Sequence, residues 1–579
     1  MLRDLATLAN QPFDLVVVGA GLHGICTAYD ASIRGLRVAL IERDDFVSGT
    51  SANSFKIIHG GIRYLQHADL YRIRESGRER TALFRIAPHL AQPLPIMIPT
   101  YGHGVKGPEV LAAALGLYDL LVFDRNRGIE DPDRQVPAGR VISRDEVLAE
   151  FPTLDGRRLT GAAVFADGQI YNPPRLGLAF VRSAVAAGCV AANYVEAVGF
   201  RRAGDRVTGV LVRDRLSGET FTVEGRIVVN AAGPWAEALL RQDASLALTP
   251  PGTYSRDACF VVRRRLTGHS ALAVPGQTRD PDAIVSRTAR HLFLAPWRDY
   301  TLVGTWHVVH HGDPDAFTVT ARELQAFLDE VNAGCPGLAL SLDDVTLWNA
   351  GLTLFGENAE GAVNLRYGKR SRVVDHAQSN GVEGLITQIG VRLTTARGVA
   401  ERVVDMAYRK LDRPSPRCTS AERPVHGGAT GPFEAFVAGL ARRELQEQPQ
   451  VVVRSLAHNY GSEIGPVLAH CRTAPRGWER LGGRHVLGGE VLHAAREEMA
   501  VRLADVVFRR TDLGTADDPG PEALRAAAEL MGAALGWDEE RIGRELAEVA
   551  TAYARLAPHR PSQRPQVATE AAVGSPAAS

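Results

Sequence analysis

The 579-residue chain is nearly without lysine: Lys56, Lys106, Lys369 and Lys410 stand against sixty-two arginines. The bias is compositional in character, so an arginine at a site position carries meaning only through its neighbours. Net charge is also missing, with 66 basic against 66 acidic side chains. A phosphate-backbone binder usually carries a basic surplus, so this balance argues against nucleic acid as the main partner. Cysteine is sparse and scattered (Cys26, Cys189, Cys259, Cys335, Cys418, Cys471), with no CxxC pair. A chain this long needs no disulfide framework, and the pattern suits a reducing compartment. No apolar run reaches the eighteen or so residues of a spanning helix. Asp4 and Asn10 interrupt any signal-peptide pattern. A soluble or peripheral protein of the cytoplasm is expected.

What the chain does have is apolar substance, 45% hydrophobic residues, enough for roughly three to four domains. Residues 14–41 read strand, glycine loop, helix, strand. Residues 42–70 are rich in Gly, Ser, Thr and Asn and read as a long functional loop before a helix near 69–86. A second strand-then-glycine signature lies at 221–235, alternating β-rich text fills 250–370, and strand and helix return at 384–410. Residues 411–430 read as a linker, 431–555 as helices, and 556–579 as a disordered tail.

Gly19-Ala-Gly21-Leu-His-Gly24 is a GxGxxG that follows a strand, opens a helix and is answered by Glu42 at the end of the next strand. Gly19 permits the turn and Gly21 lets a pyrophosphate approach the backbone. Gly24 lets the helix pack, and the helix N-terminus offers free N–H groups. Glu42 can accept from both ribose hydroxyls. The fingerprint alone does not separate NAD from FAD. The run Asn230-Ala-Ala232-Gly233-Pro-Trp235 resembles the segment by which glutathione-reductase-type flavoproteins close over the FAD pyrophosphate. The strand at 190–196, with Val195, stands where those proteins contact adenine.

Longer stretches carry a specific resemblance. GTSANSFKIIHGGIRYLQ (49–66), APHLAQPLPIMIP (87–99), FLAPWRDYTLVGT (293–305), GDPD (312–315) and GLITQIGVRLTTAR (384–397) resemble the FAD-dependent, quinone-reducing, membrane-associated glycerol-3-phosphate dehydrogenases. The helical end does so too, through Tyr460-Gly461 and EMAVRLADVVFRRT (498–511). The resemblance implies a fold of α/β plus α+β type. A glutathione-reductase-type Rossmann domain (12–100, 155–250, 370–410) would be interleaved with a β-rich substrate domain (about 100–155 and 250–370) and followed by the all-helical domain. It implies FAD contacts at Thr50, Ser51, Ser54, Lys56, His59, Gly60, Gly61, Leu393 and Thr394 besides the residues above. It also implies hydride transfer from a secondary carbinol to flavin N5, and electrons then to quinone. A peripheral seat on the inner face of the cytoplasmic membrane and a homodimer are compatible with it. No basic amphipathic helix stands out in the sequence.

The expected substrate pocket departs from the family. Arg63, beside Tyr64, keeps the pattern. Thr353 stands where an arginine is expected, and Arg392 replaces a lysine in Gly390-Val-Arg392-Leu-Thr-Thr395. Gly304-Thr-Trp306-His307 replaces Gly-Thr-Thr-Asp, and Ala258-Cys259 replaces Ser-His. His59, Arg63, His307 and Arg392 are the candidate catalytic residues, with the two histidines as candidate bases. Tyr64, Cys259, Trp306 and Thr353 complete the expected substrate wall. His310-His311-Gly-Asp313 lacks a spaced third partner on a rigid element, so no metal is expected. Three readings stay open: oxidation of sn-glycerol 3-phosphate or a related phosphorylated polyol, oxidation of a larger hydroxylated or amine substrate, and a catalytically silent FAD-binding protein.

Overall fold

The apolar run after the short helix α1 (Leu5–Asn10) forms β1 (Phe13–Val18), buried along its length. The glycine loop leads into α2 (Leu22–Ile33) and β2 (Val38–Ile41). These coordinates are a computed structural model that describes residues 1–104, 107–279, 281, 289–359, 362, 364–366, 370–557 and 559. Most of the tail expected to be disordered lies outside the described residues.

The loop at 42–70 contains β3 (Ile57–Ile58) and one 3-10 segment before α3 (Leu70–Ile86), which Asp69 caps through the Arg72 N–H. Then come β4 (Ala91–Tyr101), α4 (Pro108–Leu121), β5 (Arg140–Ser143) and β6 (Leu159–Ile170). The expected strand at 190–196 is two strands, β7 (Val190–Ala192) and β8 (Val195–Ala203), broken where Tyr194 takes a positive φ. β9 (Arg206–Asp214) and β10 (Thr220–Asn230) follow. The β-rich stretch supplies β11 (Thr253–Val262), β12 (Ala271–Arg279), β13 (Ala289–Trp297), β14 (Tyr300–His310) and β15 (Val345–Phe355). β16 (Arg372–Asp375) and β17 (Leu385–Ile389) return to the first sheet.

Two sheets result. The first has eight strands, with the order β16-β17-β10-β1-β2-β7 and β9 and β8 added from β10. Its register pairs Val18 with both Ile41 and Asn230. Three parallel strands therefore end level, so Gly19, Glu42 and Ala231 emerge on one edge. That carboxyl edge is where open α/β sheets bind ligands. The second sheet has nine strands, in the order β15-β11-β14-β13-β12-β4-β6-β3 with β5 beside β6. Here the expected boundaries near 100 and 155 need correction. β4 and β6 pair with each other along eleven residue positions inside the second sheet, because their alternating text finds partners there and not among the parallel strands.

Helices fill 433–556, as the periodicity predicts. The connection at 411–430 has no helix or strand, yet it is pinned: the Val425 N–H donates to Ile86 O at 3.0 Å, and Ser420 is fully buried against Arg397. The helical part is tied to the dinucleotide part by charge. Asp45 pairs with Arg509 and Arg510 at 2.6 and 2.7 Å, and Arg175 with Glu498 at 2.7 Å.

Candidate active site

One cavity of about 1700 Å³ runs from the carboxyl edge of the first sheet to the face of the second. That exceeds the ~300–1,000 Å³ of an ordinary small-molecule pocket. At its near end the fingerprint glycines act for different reasons. Gly19 has φ +100°, and a Cβ there would stand 2.8 Å from Ala231 O. Gly24 does not reach the cavity lining; its Cβ would stand 1.9 Å from Gly19 O, so it serves helix packing. Gly21 begins α2 without a side-chain cap, and Ser51 Oγ accepts from the Leu22 N–H at 3.0 Å.

Glu42 accepts from the Ala20 and Asp44 N–H groups at 2.7 and 3.0 Å. Burial pushes its carboxyl up to about 7 against those two hydrogen bonds. A raised acid favours the protonated fold, so this contribution to stability is present below the usual carboxylate range and is lost as pH rises through about 7. A ribose prefers the ionised acceptor, so binding must expel the proton. FAD affinity of the stripped protein is therefore expected to fall up to about tenfold per pH unit below 7, and Glu42→Gln should flatten that slope. FAD titration by fluorescence quenching across pH 5.5–8.5 measures it; equal slopes in both proteins contradict the assignment. Val195 lies alongside, its N–H taken by Glu42 O at 2.7 Å. A latch closes this end: Asp315 accepts from Trp235 Nε1 at 2.9 Å and pairs with Arg43 at 2.6 Å, while the Arg43 guanidinium lies over the Trp235 ring.

In the middle, Thr50, Ser51, Ser54, Lys56, His59, Gly61, Ala232, Gly233, Leu393 and Thr394 all line the cavity. Gly60 does not; a Cβ there would stand 2.1 Å from Arg80 Nη1, so its lack of side chain makes room for a buried arginine. Lys56 is buried with Nζ 4.6 Å from the Trp297 ring centroid, and burial pushes its amine down to about 8. His23 packs against Gly390, where a Cβ would stand 2.0 Å from the ring. Its Nε2 is buried without a hydrogen-bond partner among the described residues, and burial pushes the imidazole down to about 4.

At the far end the structure gathers Arg63, Tyr64, Cys259, His307, Thr353 and Arg392. Trp306 is the correction. It does not line the cavity but, half-buried, stacks on Phe327 at 5.5 Å against the core cluster on the other side of the sheet. The cause is a bulge. Cys259 pairs with Gly304 and Ala258 with Trp306, leaving Thr305 unpaired. The extra residue turns Trp306 inward and His307 to the cavity. Cys259 is buried, which pushes its thiol up.

Arg392 is anchored by Glu75 at 2.9 Å and Ser76 at 2.8 Å, and Arg402 reaches the same Glu75 at 3.3 Å. Two guanidiniums share one carboxylate, which leaves positive charge for an anion. His59 Nδ1 lies 3.4 Å from Asp167, whose other oxygen accepts the Gly60 N–H at 2.7 Å and faces buried Arg80. His307 Nδ1 lies 2.7 Å from Asp257. Sequence reasoning missed Asp257, Asp167, Glu75 and the Asp315 latch. Asp257 was legible in principle, since it precedes Cys259 by two residues on one strand face. The others come together only through the tertiary fold.

The His310 ring meets the Asp313 carbonyl at 3.2 Å and the edge of the Phe317 ring at 6.1 Å. Elsewhere, among the described residues, His470, His493 and Glu497 hold ligand-type atoms within 4.8 Å of one another. Arg182 donates to His493 Nε2 at 3.0 Å and lies 3.2 Å from Glu498. That arrangement is an ion-paired seam between helices.

The sequence profile of the FAD dependent oxidoreductases matches residues 14–406, and that of the C-terminal domain of alpha-glycerophosphate oxidase matches 418–542. The chain is 31% identical to a glycerol-3-phosphate dehydrogenase of Synechocystis sp., over 94% of this chain and 97% of that one. It is 31% identical to the mitochondrial glycerol-3-phosphate dehydrogenase of Mus musculus, over 95% and 74%. Among solved structures, a glycerol-3-phosphate dehydrogenase from Bacillus halodurans complexed with FAD aligns with a TM-score of 0.74 at 26% identity, covering 96% and 98%.

Proposed function

This chain belongs to the FAD-dependent glycerol-3-phosphate dehydrogenase family, and on that premise we propose that it oxidises the secondary alcohol of sn-glycerol 3-phosphate and delivers the electrons to a quinone. One observation carries the reading: a single cavity joins the dinucleotide edge to a wall bearing Arg63, Arg392 and His307. The residues present fit FAD. Gly19, Gly21 and the α2 N-terminus suit its pyrophosphate, Glu42 its adenosine ribose, and the loop from Thr50 to Gly61 with Leu393 and Thr394 its ring system. Bound there, FAD supplies a two-electron acceptor. Arg63 and Arg392 suit a phosphate, since a guanidinium fork binds two oxygens at once. The Glu75 and Ser76 contacts fix the Arg392 fork before substrate arrives. The larger or amine substrate has no observation of its own, because Trp306, expected in the substrate wall, packs on Phe327 away from the cavity. Steady-state turnover with a soluble quinone tests the reading. kcat/KM of about 10⁴ M⁻¹s⁻¹ or more is expected for glycerol 3-phosphate. A value no higher than that for glycerol would refute it.

The quinone and a membrane seat have a candidate place. Val110, Leu111, Ala114 and Leu117 of α4 line the cavity, and beside them Leu120 and Phe123 are 70% and 76% exposed. Arg74 lies over the Phe123 ring at 5.4 Å. An exposed apolar face suits shallow insertion among lipid headgroups, and at its rim Arg74 is paired with Asp124 at 2.7 Å. Among the described residues no helix is long and apolar enough to cross a membrane. Leu120→Glu with Phe123→Glu is expected to weaken binding to anionic lipid vesicles at least about tenfold, as loss of two buried apolar side chains requires. Co-sedimentation measures it, and undiminished binding would place the contact elsewhere.

A further inference from the structure

We propose that Asp257 positions His307 as the proton acceptor for the substrate alcohol, the two forming a cross-strand dyad. The inference rests on the functional reading above. Asp257 and His307 are direct partners in the antiparallel β11–β14 ladder, and both side chains face the cavity. Their Nδ1–Oδ1 distance is 2.7 Å. The same carboxylate oxygen accepts from Ser255 Oγ at 2.8 Å, and Ser255 is fully buried, so Asp257 cannot swing away. A carboxylate only accepts, so Nδ1 carries the proton and Nε2 keeps its lone pair. Thr305 Oγ1, the bulged residue, lies 3.1 Å from Nε2, so its hydroxyl donates to the lone pair and must give way to the substrate hydroxyl when that binds.

His59 is differently placed. Its ring is half-exposed, and its 3.4 Å partner Asp167 is already matched by Arg80 and the Gly60 N–H. The Asp257 carboxylate accepts from Ser255 Oγ and faces the imidazole of His307 at 2.7 Å. The position where the family resemblance leads one to expect histidine holds Cys259, on the strand next to His307. In the step itself, the O–H proton passes to His307 Nε2 and the C–H bond breaks with its electron pair leaving as hydride. The carbinol becomes a ketone, and the oxidant is the flavin of the established family. The imidazolium then faces the Asp257 carboxylate.

The ionisable groups on this cavity include Lys56, His59 and Asp167 around the flavin loop, Cys259 on β11, and Arg290 and His291 on the neighbouring β13. Arg63, Arg72 and Arg392 add cations, and Glu42, Asp44 and Asp315 lie at the dinucleotide end. From β15 come Thr353 and Phe355, the latter ring 5.5 Å from that of His307. The cations among them oppose a second positive charge, and Asp257 is placed to offset them.

The test uses FAD-loaded wild type, Asp257→Asn, Asp257→Glu, His307→Gln and His59→Gln, each checked for flavin content and thermal unfolding. His307→Gln is expected to lower kcat by about 10²–10⁴-fold, the usual span for a general base, with KM little changed. Asp257→Asn should move the acid limb of the kcat profile toward lower pH, and Asp257→Glu should restore part of it. A readout free of turnover is calorimetric binding of 2-phosphoglycolate, whose carboxylate stands in for the carbinol. Its binding should weaken as His307 deprotonates, at a lower pH in Asp257→Asn than in wild type. The phosphate titrates alike in all variants, so the difference isolates His307. An unshifted profile and unshifted binding in Asp257→Asn overturn the dyad, as does loss of the acid limb in His59→Gln in place of His307→Gln. If the binding midpoint shifts but wild type does not oxidise glycerol 3-phosphate, the functional reading falls and the dyad stands.

Discussion

Gly24→Ala is expected to lower the stability of the FAD-free protein itself, whereas Gly21→Ala is expected to spare it and lose FAD. The two glycines sit three residues apart in one motif but are glycine for different reasons. A methyl at Gly24 lands 1.9 Å from Gly19 O and 3.1 Å from the Ala231 side chain, so backbone must move. Overpacking of this kind costs about 1–3 kcal/mol and more where backbone resists. It also tilts α2 away from the edge that Gly19 and Ala231 define. A methyl at Gly21 meets Ser51 Oγ at 3.4 Å, an ordinary contact, and disturbs nothing until a pyrophosphate approaches. FAD retention should then fall at least about tenfold, by the same crowding transferred to the ligand. Thermal unfolding of the stripped proteins, with flavin absorbance per chain after purification, separates the two. If both variants unfold like wild type, the packing role given to Gly24 is wrong.

Arg392→Met is expected to reduce kcat/KM for glycerol 3-phosphate by roughly 10–150-fold, mostly through KM. The lost interaction is a charge-assisted bond to phosphate, worth about 1.5–3 kcal/mol. Structural damage should stay small, because Glu75 keeps Arg402 as a partner when Arg392 is gone. The variant should also lose its preference for glycerol 3-phosphate over glycerol, since glycerol never met the guanidinium. A variant whose preference is intact would show that Arg392 belongs to the Glu75 network alone.

The sequence was most legible where signals are contiguous. The β1–loop–α2–β2 unit is in place to within a residue or two, because a β-branched strand, a glycine turn and Glu42 follow one another within thirty residues. α3, at Leu70–Ile86, matches the helix expected near 69–86. Nonlocal pairing was not legible. β12 lies parallel to β4 through Ala271 and Ile96, residues whose text gives no hint of each other. For the same reason β4 and β6 belong to the second sheet and not to the first. The site shows the same division. The residues in the loop from Thr50 to Gly61 were readable as a cluster, apart from Gly60, whose partner Arg80 comes from α3. Trp306 was misplaced because alternation alone cannot reveal the unpaired Thr305, and one bulged residue exchanges the two faces of a strand. Asp257, Glu75 and Asp315 each needed a partner from another element before their roles could be seen.

The central claim is that the cavity holds a flavin which glycerol 3-phosphate reduces. Its most direct test is an anaerobic titration of the FAD-loaded protein, following the oxidised flavin band. The account predicts bleaching by glycerol 3-phosphate, with one dihydroxyacetone phosphate formed per flavin reduced, and none by glycerol at equal concentration. A flavin that dithionite reduces but glycerol 3-phosphate leaves oxidised would contradict it.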